Sequence, residues 1–530
     1  MKSLLPTAVL ALCACQVHAA AQPKIDSAAL LEQITTLASD EFEGRAPGTR
    51  GEAMTIDYLQ QQFKKLGLEP GNPDGTYLQT VPLVGISSHP TLGYGTTKLK
   101  FGEDYIAWTA RADKQLELTD SELVFVGYGV QAPEFKWDDY KGVDLKGKTL
   151  VMLINDPQVA DPKRPKLLDP NVFGGNAVTW YGRWNYKFET AARLGAAGAL
   201  IVHETKAAGY PYEFVINSWG RENFALKGKT PEPYLPPVAG WLQQERACEL
   251  FTAAGMDFKE LKQRALSRDF KPVPLGIKLN LAMVNAVREV DTHNVVARIP
   301  GSDPKLKDEV IVYTAHWDHF GIDESLPGPR TQQIFHGAVD NASGVAALLQ
   351  IASAYKALPT APKRSIVFVA TTAEERGLLG AQHYVRHPLY PISKTVLNIN
   401  IDGMNLWGRT RDVELSGMGK STADDLVKAI AAKQGRTVRA DSNISYGSYY
   451  RGDQLEFARA GVPTIYLRSS ANKLLYYTAH QFHTVHDTVQ PNWNTSGALD
   501  DIQLLFQAGY QAAQAKDQPK WKEGAEFQRR

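Results

Sequence analysis

Cysteine is nearly absent from this sequence. Of three cysteines in 530 residues, Cys13 and Cys15 fall in the first fifteen positions and only Cys248 in the body. That excludes both a disulfide framework and a thiolate-ligated metal site from the body of the chain. A charge excess is absent too. The formal net charge is +1, which leaves no electrostatic footprint for nucleic acid or an anionic membrane. Beyond the N-terminal stretch, no run approaches the roughly 18 apolar residues that a membrane span needs. What is present, 43% hydrophobic and 22% charged residues, is the balance of a globular protein. The length of 530 residues has room for two or three domains.

The first residues, 1–21, read as an export signal. Lys2 supplies a positive start, Leu4 to Cys15 a short apolar core, and Val17-His18-Ala19 small residues at a cleavage site. Leu12-Cys13-Ala14-Cys15 also fits a lipobox, in which Cys15 carries a lipid and becomes the mature N-terminus. Both readings give an exported protein, periplasmic or secreted, and the second adds a membrane tether.

The rest divides by texture. Segment 22–117 contains two helical patterns, Leu30, Leu31, Ile34, Leu37 and Tyr58, Leu59, Phe63, Leu66, at spacings of three to four residues. The turn between them, Asp40 to Gly48, reads as too acidic and glycine-rich for a core. Segment 118–280 has strands such as Glu122 to Gly129 and Lys146 to Ile154 separated by long loops, and is expected to be an inserted, mostly β domain. Segment 281–514 alternates strands with helices, which predicts an α/β fold with a mostly parallel sheet covered on both faces. The tail, 515–530, reads as polar and frayed.

In that α/β segment, ligand-type residues recur at strand ends. His316-Trp317-Asp318-His319 follows one strand, Thr371-Thr372-Ala373-Glu374-Glu375 the next and Asp402-Gly403 a third. Gly337 to Gly344, with Asp340, precedes a long helix, and Phe482-His483-Thr484-Val485-His486-Asp487-Thr488 lies near the C-terminal end. Open α/β sheets bind ligands outside the carboxyl ends of their strands. Two divalent ions about 3.5–4 Å apart need a bridging carboxylate and further oxygen and nitrogen ligands. Asp340 suits the bridge, with His316 and Glu375 completing one site and Asp402 and His483 the other. Each ion then keeps an open position for water. Glu374 is left free as a general base, and Asp318 is placed to orient the His316 imidazole. His319, His336 and His486 are alternative ligands. Tyr446, Tyr449, Tyr450, Tyr476 and Tyr477 are candidates for a pocket wall, as are Trp180, Trp184 and Tyr186 of the insert.

This order of motifs resembles the M28 family of co-catalytic zinc aminopeptidases. The matching residues are His316-Trp317-Asp318, Asp340-Asn341-Ala342-Ser343-Gly344, Glu374-Glu375, Asp402-Gly403 and Phe482-His483-Thr484 with Asp487-Thr488. Leu37 to Arg45 is similar to the family's bacterial members, and the insert resembles a protease-associated (PA) domain. The resemblance implies two Zn2+ per chain, with Mn2+ or Co2+ also compatible, and peptides with a free N-terminus as substrates. It implies that Glu374 takes a proton from water and returns it to the leaving amine, and that the Asp340–Asn341 peptide is cis. Two positions depart from the pattern. Gln454 stands where many members have histidine, and Phe482 where some have a tyrosine hydroxyl. The rival readings are a carboxypeptidase of the same family, a one-zinc glutaminyl cyclase, and a binding protein on the same scaffold.

Overall fold

The computed structural model describes residues 23–228, 234–442, 444–469 and 471–527. The segment 1–21, expected to be an export signal, lies with Cys13 and Cys15 outside the described residues. Three strands, Val310–His316, Ser365–Thr371 and Thr395–Asn400, lie side by side in parallel with every residue buried. Burial on both faces is why these segments are largely apolar without alternation. Thr464–Arg468 extends the sheet in parallel beyond Thr395–Asn400, and Asp412–Leu415 runs antiparallel beyond that.

The two faces carry different helices. Ile311, Tyr313 and Ala315 point to one core, shared with the nearly wholly buried helix Gly344–Lys356. Val310 and Val312 point to the other, where they meet Tyr384 of helix Leu379–Arg386 and Phe457 of helix Gln454–Arg459. The first face is completed by helices Ser27–Leu37 and Ser496–Gln514. In Ser27–Leu37 the expected stripe Leu30, Ile34, Leu37 is buried, and Asp26 caps the helix by accepting from the amides of Ala28 and Ala29. Burying each of these side chains stabilises the fold by about 1.5–3 kcal/mol relative to exposure.

One strand joins this half to the next. Val273–Ile299 runs 27 residues. Its last residues pair with Ser365–Thr371, its first with Gln115–Phe125, and Leu78–Tyr94 lies along it from Leu279 to Val295. Beyond Gln115–Phe125 come Thr149–Leu153, Gly198–His203 and Val238–Gln243, all parallel. Helices Trp184–Arg193, Tyr212–Trp219, Gln244–Ala253 and Phe258–Arg264 accompany them. The expectation of a mostly β insert is therefore corrected to an α/β unit. The buried face of helix Trp184–Arg193, made of Tyr186, Lys187, Phe188, Thr190 and Ala191, gives no leucine stripe. The edge strand Tyr105–Trp108 pairs with Val238–Gln243, so this unit also recruits residues from segment 22–117.

Two further expectations are corrected. The tail is pinned, not frayed, as far as Phe527. The Trp521 indole donates to the Gly461 carbonyl (2.9 Å), and Glu526 meets Lys420 (2.6 Å) and the Tyr450 hydroxyl (2.7 Å). The turn Asp40–Gly48 does contribute to the core. Phe42 and Arg45 are buried, and Gly44 is tucked so tightly that an added Cβ would sit 2.5 Å from the Phe335 carbonyl.

Candidate metal centre

Five ligand-type side chains converge at the carboxyl ends of the strands. His316 ends its strand, Glu374 and Glu375 follow Ser365–Thr371, and Asp402 follows Thr395–Asn400. The His316 Nε2 lies 3.2 Å from Asp340 Oδ1 and 3.5 Å from Asp402 Oδ1. The His483 Nε2 lies 3.2 Å from Asp340 Oδ2 and 3.1 Å from Glu375 Oε2. The pairing expected from the sequence is thus exchanged. His316 goes with Asp402, and His483 with Glu375. Asp340 stands between the two groups, one oxygen to each.

These spacings, 3.1–3.5 Å, lie at or just under those a bound cation would set. Zinc holds nitrogen and oxygen ligands at roughly 2.0–2.2 Å in a tetrahedron, which sets neighbouring ligand atoms roughly 3.3–3.6 Å apart. A shared carboxylate with one oxygen toward each group is the donor arrangement of a two-ion site. Electrostatics point the same way. Burial would lower the pKa of His316, but Glu374, Asp340 and Asp402 outweigh it and raise it well above the usual imidazole range. Burial opposes the proton on His483 too, yet Glu375 and Asp340 lift it to about 10. Burial works to raise Glu375, and the His483 charge overrides it, leaving Glu375 at about 2. The cluster attracts positive charge strongly.

Loops at these strand ends are fixed by groups behind them. Asp318 accepts from the backbone amides of Glu374 (3.0 Å) and Glu375 (3.3 Å). Its carboxylate is 3.8 Å from His316 Nδ1, beyond a hydrogen bond, and that nitrogen instead meets the Asp318 carbonyl at 3.2 Å. The carboxylate therefore positions the Glu374–Glu375 turn instead of directly orienting the imidazole. Asp487 accepts from the amides of Val339 (2.9 Å) and Asp340 (3.0 Å) and from the Tyr477 hydroxyl (2.8 Å). The Asp340–Asn341 peptide is cis. Glu374 lines the pocket, and burial, joined by Glu375, Asp402 and Asp453, raises its pKa well above the usual carboxylate range against the pull of His316.

Arg45 is the residue that sequence reasoning missed. Its guanidinium donates to the carbonyls of Leu37 (2.7 Å), Trp317 (2.8 Å), His336 (2.6 Å) and Gly337 (2.9 Å). It ties the N-terminal turn to both the His316 and Asp340 loops. A single arginine in an acidic turn gives no periodic signal that could have revealed this.

The other candidates separate. His319 joins the cluster from behind, its Nδ1 2.6 Å from Glu375 Oε1. His336 pairs with Asp40 (2.7 Å), and His486 is exposed. Gln454 is wholly buried, accepting from Asn400 (2.6 Å) and donating to the Tyr449 carbonyl (2.9 Å). Tyr446, Tyr450 and Tyr477 line the pocket, as does Trp184. Tyr449 is packed behind it and Tyr476 is 63% exposed. Phe482, in place of a tyrosine, stacks on His483 at 3.7 Å between ring centres. The insert supplies a further ring, since Phe214 stacks on His483 at 5.4 Å.

Residues 294–507 match the model of Peptidase family M28. Carboxypeptidase Q from Xenopus laevis is 27% identical over 273 residues, 51% of this chain and 52% of its own length. Aminopeptidase NAALADL1 from Rattus norvegicus is 26% identical over 280 residues, 44% of this chain and 35% of its own. The chain thus spans about half or less of the length of these curated relatives. The fold is shared with a solved aminopeptidase from Aneurinibacillus sp. strain AM-1, at a TM-score of 0.53 and 20% identity, over 96% of this chain and 98% of that one. His316, Asp340, Glu374, Glu375, Asp402 and His483 all lie in the matched segment, and it is this segment of the chain that is similar to Peptidase family M28.

Proposed function

We propose that the protein is a two-zinc exopeptidase, most simply an aminopeptidase that removes N-terminal residues from short peptides. The observation that carries this reading is the shared Asp340 carboxylate, with His316 and Asp402 at one oxygen and His483 and Glu375 at the other. These five residues would hold the ions, which when bound would supply Lewis acidity for water activation and carbonyl polarisation. The chain's own contribution is proton handling. Glu374, buried at the pocket floor, accepts the proton of the attacking water and delivers it to the leaving amine. Burial, joined by Glu375, Asp402 and Asp453, makes its carboxylate a stronger base than an exposed one. Asp318 holds the Glu374 amide, so the base stays in place through both transfers.

The segment 118–280 is read as a PA-like unit whose Phe214 and Trp219 narrow the pocket to short chain ends. Export through segment 1–21, with or without a lipid on Cys15, completes the reading. A carboxypeptidase is the second reading, favoured by the arginines Arg183 and Arg451 on the pocket wall. The test is hydrolysis of aminoacyl-p-nitroanilides and of N-blocked peptides, with zinc and with chelator. Turnover confined to free-amine substrates, lost with chelator and in Glu374→Gln, supports the aminopeptidase. Release of C-terminal residues from N-blocked peptides would transfer the same centre to a carboxypeptidase.

A further inference from the structure

Two of the carboxylates that face the imidazoles have a second oxygen turned away from them. Asp340 presents one oxygen to each histidine, but Asp402 turns Oδ1 to His316 and Glu375 turns Oε2 to His483. A carboxylate with a free second oxygen can take an ion through either atom or through both.

Those second oxygens are held unequally. Asp402 Oδ2 has the Tyr466 hydroxyl at 3.4 Å, and Arg468 Nε donates to that hydroxyl at 2.7 Å. Glu375 Oε1 has His319 Nδ1 at only 2.6 Å. A carboxylate oxygen accepts, so this nitrogen carries the hydrogen. The Glu375 side chain is 4% exposed and that of His319 0%, so the bond is shielded from water.

The His319 ring is fixed in place. Its backbone amide donates to the Arg45 carbonyl (3.3 Å). Phe320 meets the ring edge-on at 5.0 Å between centres. Gly337 lies against it, and an added Cβ there would come within 2.7 Å of His319 Cγ and Cδ2. The other ring nitrogen, Nε2, is buried with no partner among the described residues. His319 also follows Asp318, whose carboxylate accepts from the Glu375 amide at 3.3 Å. One loop therefore holds Glu375 twice, at the backbone through Asp318 and at the far oxygen through His319.

We propose that His319 is a positioning residue that leaves Glu375 a single oxygen for the ion shared with His483 and so keeps a coordination position open for water. The inference rests on the two-zinc reading. It adds what confines Glu375 to the ligand role beside its neighbour Glu374, the base.

The experiment is zinc titration of the metal-stripped full chain against a chromophoric chelator, in wild type and in His319→Ala, His319→Asn and His319→Gln. Asparagine places an N–H near the position of Nδ1, glutamine near that of Nε2, and alanine places none. Wild type is expected to bind two zinc ions. In His319→Ala one ion is expected to bind about 10–100-fold more weakly while the other keeps its affinity. Asparagine is expected to restore most of that loss and glutamine little of it. A space-filling role would give the reverse order, because glutamine replaces more of the ring's volume. The asparagine–glutamine comparison stands even where the alanine variant does not fold. Cobalt in place of zinc reports coordination geometry in its visible spectrum. That spectrum is expected to change in His319→Gln and to stay near wild type in His319→Asn. Equal zinc affinity in all three variants and wild type, or rescue by glutamine and not asparagine, would overturn the inference and leave the two-zinc reading standing. His319 comes close enough to Asp340 and Glu375 to be a ligand itself, and a zinc peak bonded to it in anomalous diffraction would overturn the positioning role. Wild type that binds fewer than two zinc ions would sink the two-zinc reading, and the inference with it.

Discussion

The two walls of the pocket are built differently. The catalytic wall is made of strand-end loops whose backbone is held at many points. Asp318 fixes the Glu374 and Glu375 amides, Asp487 fixes those of Val339 and Asp340, and Arg45 gathers four carbonyls. The wall from the insert is made of side chains carried on helices: Phe214 and Trp219 of Tyr212–Trp219, with Phe214 against His483, and Trp184 of Trp184–Arg193, with Arg183 just before it. Bond-making chemistry needs ligands placed to fractions of an ångström, and a hydrogen-bonded backbone provides that. Recognition tolerates looser placement, and side chains from a separate unit can supply it.

That comparison can be broken from the catalytic side first. Glu374→Gln is expected to lower kcat by about 10²–10⁴-fold, with metal content per chain unchanged by elemental analysis. A residual rate within tenfold of wild type would move the base elsewhere. Asp487→Ala leaves the Val339 and Asp340 amides without their acceptor. It is expected to weaken zinc affinity about 10–100-fold in competition with a chromophoric chelator. Arg45→Met removes a donor from four buried carbonyls, of which Gly337 keeps the Ala342 amide, and a loss of about 2–4 kcal/mol is expected in urea unfolding. A midpoint equal to wild type would show that the clamp is dispensable. The smallest effect belongs to the insert wall. Phe214→Ala removes ring contacts with His483, Tyr210 and Trp219, of about 0.5–1.5 kcal/mol each, so KM is expected to rise about 2–10-fold while metal content stays the same. A loss of metal in that variant would show that the two walls are not separate in function.

The same contrast explains what the sequence made legible. His316, Asp340, Glu374, Glu375, Asp402 and His483 stand out because each is a ligand-type residue at the boundary of a readable element. Their grouping was not readable. The His316 strand has the Glu375 strand on one side and the Asp402 strand on the other. Only side-chain direction decides which carboxylate faces which imidazole. Arg45 was hidden because its partners are carbonyls, which leave no trace in side-chain pattern. The strand Val273–Ile299 was hidden because it spans both halves of one sheet and alternates along much of its length, unlike the fully buried strands beside it. Trp521 and Glu526 were lost in a polar tail, although one indole and one paired carboxylate suffice to pin it.

The most direct test is anomalous diffraction from zinc-loaded crystals. The account predicts two ions per chain, one among His316, Asp340 and Asp402, and the other among His483, Asp340 and Glu375. A single ion, or ions held by His316 with Glu375 and by Asp402 with His483, would contradict it.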